Sequence, residues 1–251
     1  MAATSSQTSL EARSNVFGEG RFFTGMAVAM IVLSILAFVP HIVHTSARRA
    51  PLSALAAAHG SVFFGWLLLF VIQSRLVARR RVDLHRRLGL AAVFFLALML
   101  PLAYMTTVAM LRRGFDLSGD LRIDHDPFYE SIFPFGDLLM FSVLVAAALA
   151  YRGRPQIHKR LMLFGNIALM PAVLAHFIGE TPWLAALPAA IILVPIVMFL
   201  IAAVVGDYLL ARRIRPLTLA LASLLFASGP LFAFVIGPSA AWHHIAAWLP
   251  G

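Results

Sequence analysis

Long stretches of this chain run without a single Asp, Glu, Lys or Arg, among them residues 22–47, 50–74, 88–111, 161–178 and 181–206. Each is near the ~20 apolar residues that carry a helix across a hydrocarbon core. In that medium a backbone must satisfy its own hydrogen bonds, which leaves only helices or closed barrels. Apolar runs this long, without strict alternation, select helices. Two further spans complete seven: residues 131–151, interrupted only by Asp137, and residues 216–251, long enough for one span and an interfacial tail. The expected fold class is an all-α polytopic membrane helix bundle. Pro101, Pro171, Pro188, Pro195 and Pro230 fall inside the runs, so kinked helices are expected.

Composition agrees. Only 12% of residues are charged, against about 25% in soluble domains, and mean hydropathy is +0.88. The net charge of +9 does not signal nucleic acid, because the basic residues sit in short loops between apolar runs rather than on a continuous polar face. The implied partner is the lipid bilayer, with room for a membrane-protein partner or a second copy. The chain has no cysteine. Disulfides, thiolate metal sites, iron–sulfur clusters and cysteine nucleophiles are therefore excluded.

Residues 1–20 are rich in Ser, Ala and Thr, carry Glu11, Arg13 and Glu19, and have no apolar core; a mobile tail is expected. The first apolar run is long for a signal-peptide core and is not followed by a small-x-small cleavage site, so it reads as a retained helix. Residues 21–237 then form one seven-span domain and residues 238–251 an outer interfacial segment. With the N-terminus in the cytoplasm, Arg13, Arg21 and the loops 75–87, 152–160 and 212–215 place 15 of the 20 Lys and Arg residues inside. The positive-inside rule thus gives N-in, C-out in a bacterial-type inner membrane. The loop 113–130 holds Asp116, Asp120, Asp124, Asp126 and Glu130, a composition suited to the outer side.

Residues 81–90 (RVDLHRRLGL) and 154–163 (RPQIHKRLML) agree at five of ten positions. Each joins an inward-running span to an outward-running one. Two hairpins that share an ancestor or a constraint explain the repeat; so does a polar step that starts a helix at the phosphate level, its arginines reaching to headgroups. Through His85, Arg86, Arg87, Leu88 and Gly89, with His59 and Gly60 in the span before, the chain resembles uncharacterised bacterial multi-span membrane proteins that carry an HR-x-x-G loop. Through His158, Lys159, Arg160, Leu161 and Met162 it is similar to small membrane proteins associated with oxidase assembly. Neither resemblance implies an active site at particular residues.

Six of the nine histidines lie toward the outer end of the spans under this topology: His41, His44, His59, His176, His243 and His244. His125 falls in the acidic loop, where it reads as solvated. Ionisable groups inside a bilayer are costly, so those that occur there are functional candidates. Three or more imidazoles with a carboxylate suit Zn, Fe or Cu, which makes His41, His44, His59, Asp137, His176 and Glu180 the candidate metal ligands. Alternatively, His59 and His176, on different helices at similar depth, serve as the two axial ligands of haem b. Each histidine also has a structural reading. His41 and His44 follow Pro40 at a water interface, and His243 and His244 are flanked by Trp242 and Trp248 as in a helix lying among headgroups.

The leading functional expectation is a redox-type membrane protein with a haem or metal site near its outer face. The alternative is a non-catalytic component: an assembly factor, a structural subunit or a small-molecule transporter. A zinc-dependent membrane hydrolase of the adiponectin-receptor or alkaline-ceramidase kind is a minor option, because the last span contains no histidine. A retinal protein is disfavoured, because the only lysine, Lys159, stands at a helix entrance. Gln73, Asn166 and Asp207, isolated polar residues near inner helix ends, are expected to bond between helices.

Overall fold

The computed structural model describes residues 2–43, 53–114, 126–179 and 193–249. Helices α1 (Ala2–Val43), α2 (Ala54–Ala78), α3 (Val82–Arg112) and α4 (Pro127–Ala150) are followed by the pair α5 (Pro155–Ile167) and α6 (Met170–Gly179). After these come α7 (Leu193–Ala211), α8 (Pro216–Leu231), a π-helical turn (Phe232–Ile236) and α9 (Ala240–Trp248). No strand occurs among the described residues. Seven helical segments are long and apolar enough to cross a membrane, with α5 and α6 together forming the fifth and α8 with its π turn the seventh. The chain is a multi-pass integral membrane protein built as an all-α bundle.

Local chemistry sets the helix ends. Ser53 caps α2 by accepting from the Ala56 amide at 3.1 Å, and Asp126 caps α4 by accepting from Phe128 at 2.9 Å. Pro127, Pro155 and Pro216 stand in the first turns of α4, α5 and α8, where the missing N–H has no intrahelical role. Proline inside a helix acts unequally here. Pro101 lies within α3 without interrupting it, whereas Pro171 gives Ile167 no amide to bond, and the chain breaks at Ala168 and Leu169 between α5 and α6. At the end of the last span the Gly237 amide donates to Phe232 O at 2.8 Å, the longer-range bond of a π turn, and Tyr129 Oη donates to Ala233 O at 3.2 Å. The helical backbone of α1 also continues back to Ala2, through the segment read as a tail.

The fifth span is the hub. Two-thirds of its most apolar window is buried, against 11–33% for the other six. Around it pack α1, α4, α7 and α8. Trp66 of α2, almost fully buried, meets Phe141 of α4 edge to face at 5.4 Å and donates from Nε1 to Asn166 Oδ1 of α5 at 2.9 Å. Asn166 Nδ2 in turn donates to Met162 O at 2.8 Å. A side-chain bond between helices in an apolar medium is worth about 1 kcal/mol, and this one fixes α2 against the hub. Close approach needs glycine at two points: a Cβ at Gly206 of α7 would lie 2.3 Å from the Phe22 ring of α1, and one at Gly136 of α4 would lie 2.4 Å from Phe232. The outer surface of the bundle is apolar, with Leu90 77% and Phe234 81% exposed. That is the surface a lipid solvent requires.

Candidate functional site

The two related segments meet. Arg81 and Arg154 occupy the N-cap positions of α3 and α5. The amide of His85 donates to Arg81 O and that of His158 to Arg154 O, each at 3.0 Å. The two histidines thus hold the same position, the fourth residue of a helix, and the repeat in sequence is a repeat in structure. Their rings lie 6.3 Å apart, centre to centre, at 75°. His158 Nδ1 is 2.8 Å from Ala148 O of α4. A carbonyl only accepts, so Nδ1 carries the proton and Nε2 of the neutral ring keeps its lone pair. His85 Nδ1 is buried with no hydrogen-bond partner. An ion held about 2 Å from one nitrogen of each of two opposed imidazoles sets the ring centres roughly 6 Å apart, and the separation of this pair is of that size.

At the same end of the bundle lies a network of charges. Asp207 of α7, 5% exposed, receives Arg160 Nη2, Arg215 Nη1 at 2.9 Å, the Thr218 hydroxyl at 2.5 Å and the Arg215 amide at 3.2 Å. Arg160, 3% exposed, also donates to Thr218 Oγ1 at 3.0 Å, Gln156 O at 2.7 Å and Gln156 Oε1 at 2.9 Å. Glu19 of α1 pairs with Lys159, and with Arg215 at 3.8 Å. The network ties α1, α5, α7 and α8 together. Asp207 and Asn166 bond between helices as their positions suggest, while Gln73 Oε1 is buried without a hydrogen-bond partner.

Toward the opposite end lie the described members of the candidate metal and haem ligand sets, His59, Asp137 and His176. His59 of α2 stacks on Phe63 at 4.2 Å, and His176 of α6 stacks on Phe38 of α1 at 4.4 Å. Asp137 sits half-buried in α4. His44, Glu180 and His125 lie outside the described residues, as does the side chain of His41. Among the described residues no three His, Asp or Glu side chains gather to hold a metal ion.

His243 takes a specific partner. Its Nδ1 is 3.0 Å from Ser239 O and its Nε2 is 2.5 Å from Asp126 Oδ2, while Trp242 Nε1 donates to Phe128 O at 2.8 Å. Both contacts of the ring are acceptors, so the doubly protonated imidazolium fits. The hydrogen bond to Asp126 raises the His243 pKa, and the bond from His243 holds Asp126 below the ordinary carboxylate range. The pair's contribution is complete from about pH 4 to 6.5. It fades as pH rises through the raised His243 value, and again as pH falls through the depressed Asp126 value. NMR titration is expected to put the His243 midpoint above 6.5. Asp126→Asn, which keeps the cap on α4, should lower that midpoint, and an unmoved midpoint would refute the pairing.

Fold and side chains together define a polytopic helical membrane protein with a histidine pair and a buried ion network at one end. Comparison with protein-family models, with curated proteins and with solved structures gave no match.

Proposed function

We propose that this is a redox-type membrane protein that holds haem iron or a transition-metal ion through imidazole nitrogen, and that His85 and His158 supply the ligands. The observation that carries the reading is the approach of these two rings, 6.3 Å apart, from equivalent helix positions. Support also comes from their surroundings: the carbonyl of Ala148 orients one ring, as an outer partner of a metal-bound histidine does. Two imidazoles suffice for haem iron, whereas zinc ordinarily takes three or four protein ligands. This favours haem or a two-coordinate ion over zinc. Protein purified from native-like expression should show a Soret band if the centre is haem, or stoichiometric metal by elemental analysis if it is a bare ion. Neither at stoichiometric level refutes the reading and leaves the non-catalytic membrane component.

A second reading keeps the centre at the opposite end, on His59 and His176 for haem or on His41, His44, His59, Asp137, His176 and Glu180 for a metal. One observation favours it: His59 Nδ1 is buried with no hydrogen-bond partner. The proposed orientation is N-in in a bacterial inner membrane, which puts the His85–His158 end at the cytoplasmic face. With no native cysteine, one introduced at Ser239 should react with an impermeant maleimide in intact cells and one at Asp83 should not. The reverse pattern would invert the topology.

A further inference from the structure

Beside the ion network, between the first turns of α5 and α8, lies a pocket of about 330 Å³ lined by Gln156, Ile157 and Arg160 from α5 and by Arg213, Arg215, Pro216 and Leu217 from the entry to α8. Three of these side chains are guanidinium groups. In the adjoining network three cations (Lys159, Arg160 and Arg215) face two carboxylates (Glu19 and Asp207). One positive charge is left over. Arg213, exposed and paired with no carboxylate among the described residues, adds another. Two helix N-termini open on the same space. Neither Arg154 nor Arg215, the N-cap residues, makes a side-chain capping bond. The second residue of each helix, Gln156 or Leu217, lines the pocket and has a first-turn amide with no intrahelical acceptor.

We propose that this pocket binds a phosphate group, either the headgroup of an anionic phospholipid or a soluble phosphoester. The geometry assigns the chemistry. A phosphate accepts from guanidinium forks and from first-turn amides together, and the spare charge at a membrane-facing helix end is what an anionic headgroup neutralises. A neutral zwitterionic headgroup brings its own cation into a site already over-supplied with positive charge. The site is independent of the His85–His158 pair, because none of its lining residues belongs to that pair.

Native mass spectrometry of the purified full chain tests it, with phosphatidylglycerol and phosphatidylcholine offered in separate titrations and inorganic phosphate in a third. Phosphatidylglycerol or phosphate should bind in preference to phosphatidylcholine. Arg213→Ala should weaken that binding about five-fold, the effect of one basic residue near a charged surface, and R213E should weaken it further. Arg152→Ala, which removes an exposed arginine of the same end that does not line the pocket, should leave it unchanged. Because Arg213 is exposed, these variants keep the fold, and an unchanged melting temperature verifies that. Binding of the lipid alone identifies the headgroup as the source; binding of inorganic phosphate with the same Arg213 dependence identifies a soluble phosphoester. Equal retention of both lipids with no phosphate binding, or equal losses in Arg213→Ala and Arg152→Ala, would overturn the proposal.

Discussion

His85→Ala and His158→Ala are each expected to lower haem or metal occupancy of the purified protein about ten-fold or more. Changing even an outer partner of a metal ligand commonly costs 10–100-fold, and removing one of only two ligands costs at least that. His59→Ala, His176→Ala and His243→Ala should leave occupancy near the starting level. His59 and His176 each stack on a phenylalanine, and His243 is engaged with Asp126. The five-variant series also separates the alternatives. A loss confined to His59 and His176 would move the centre to the opposite end of the bundle. Equal losses in all five, accompanied by a broadened gel-filtration peak, would mean general unfolding and remove the support for any histidine site.

The spans were legible because lipid imposes one rule on every residue of a crossing helix. The apolar run at residues 88–111 became α3, whose start lies further back, at Val82. The run could not mark that start, because Arg86 and Arg87, both exposed, belong to the helix. The equivalence of His85 and His158 was legible as a repeat. That the two rings come within 6.3 Å of one another was not, since sequence similarity fixes the helix register but not which helix ends meet. The ion network was the larger miss. Asp207 read as an isolated polar residue because its buried partner is distant in the chain: Arg160 comes 47 positions earlier, while the nearer Arg215 and Thr218, 8 and 11 positions on, stand at the start of the next helix. Arg160 itself read as one of a loop's basic residues with access to headgroups. A carboxylate at the end of an apolar run needs a partner, and that was the available signal, but it does not say which of fifteen basic residues answers. The outer grouping of histidines rested on depth alone, and depth is a single coordinate. Residues at one level can lie on opposite sides of a bundle.

Removing Asp207 should have the largest effect on stability of any single change at the basic end. In Asp207→Leu, Arg160 keeps Gln156 and Thr218 but loses its carboxylate, which leaves a buried guanidinium without a counter-charge. Breaking a buried pair in this way costs about 3–5 kcal/mol. The expected readout is a strong fall in the detergent-solubilised melting temperature. Arg160→Met should cost less, because Asp207 still receives Arg215 Nη1, the Arg215 amide and the Thr218 hydroxyl. The double variant, Arg160→Met with Asp207→Leu, should be more stable than Asp207→Leu alone, since it removes the stranded charge along with its partner. Such a cycle isolates the coupling between contacting groups, about 0.5–3 kcal/mol in ordinary cases and here expected at the upper end. Additive losses across the cycle would show that Arg160 and Asp207 do not act as a pair. A loss below about 1 kcal/mol for Asp207→Leu, within the range of surface ion pairs, would show instead that water reaches the network and screens it. The same series bears on the pocket beside it: Asp207→Leu raises the local positive charge by one, so a variant that remains folded should retain phosphatidylglycerol more tightly even as its melting temperature falls.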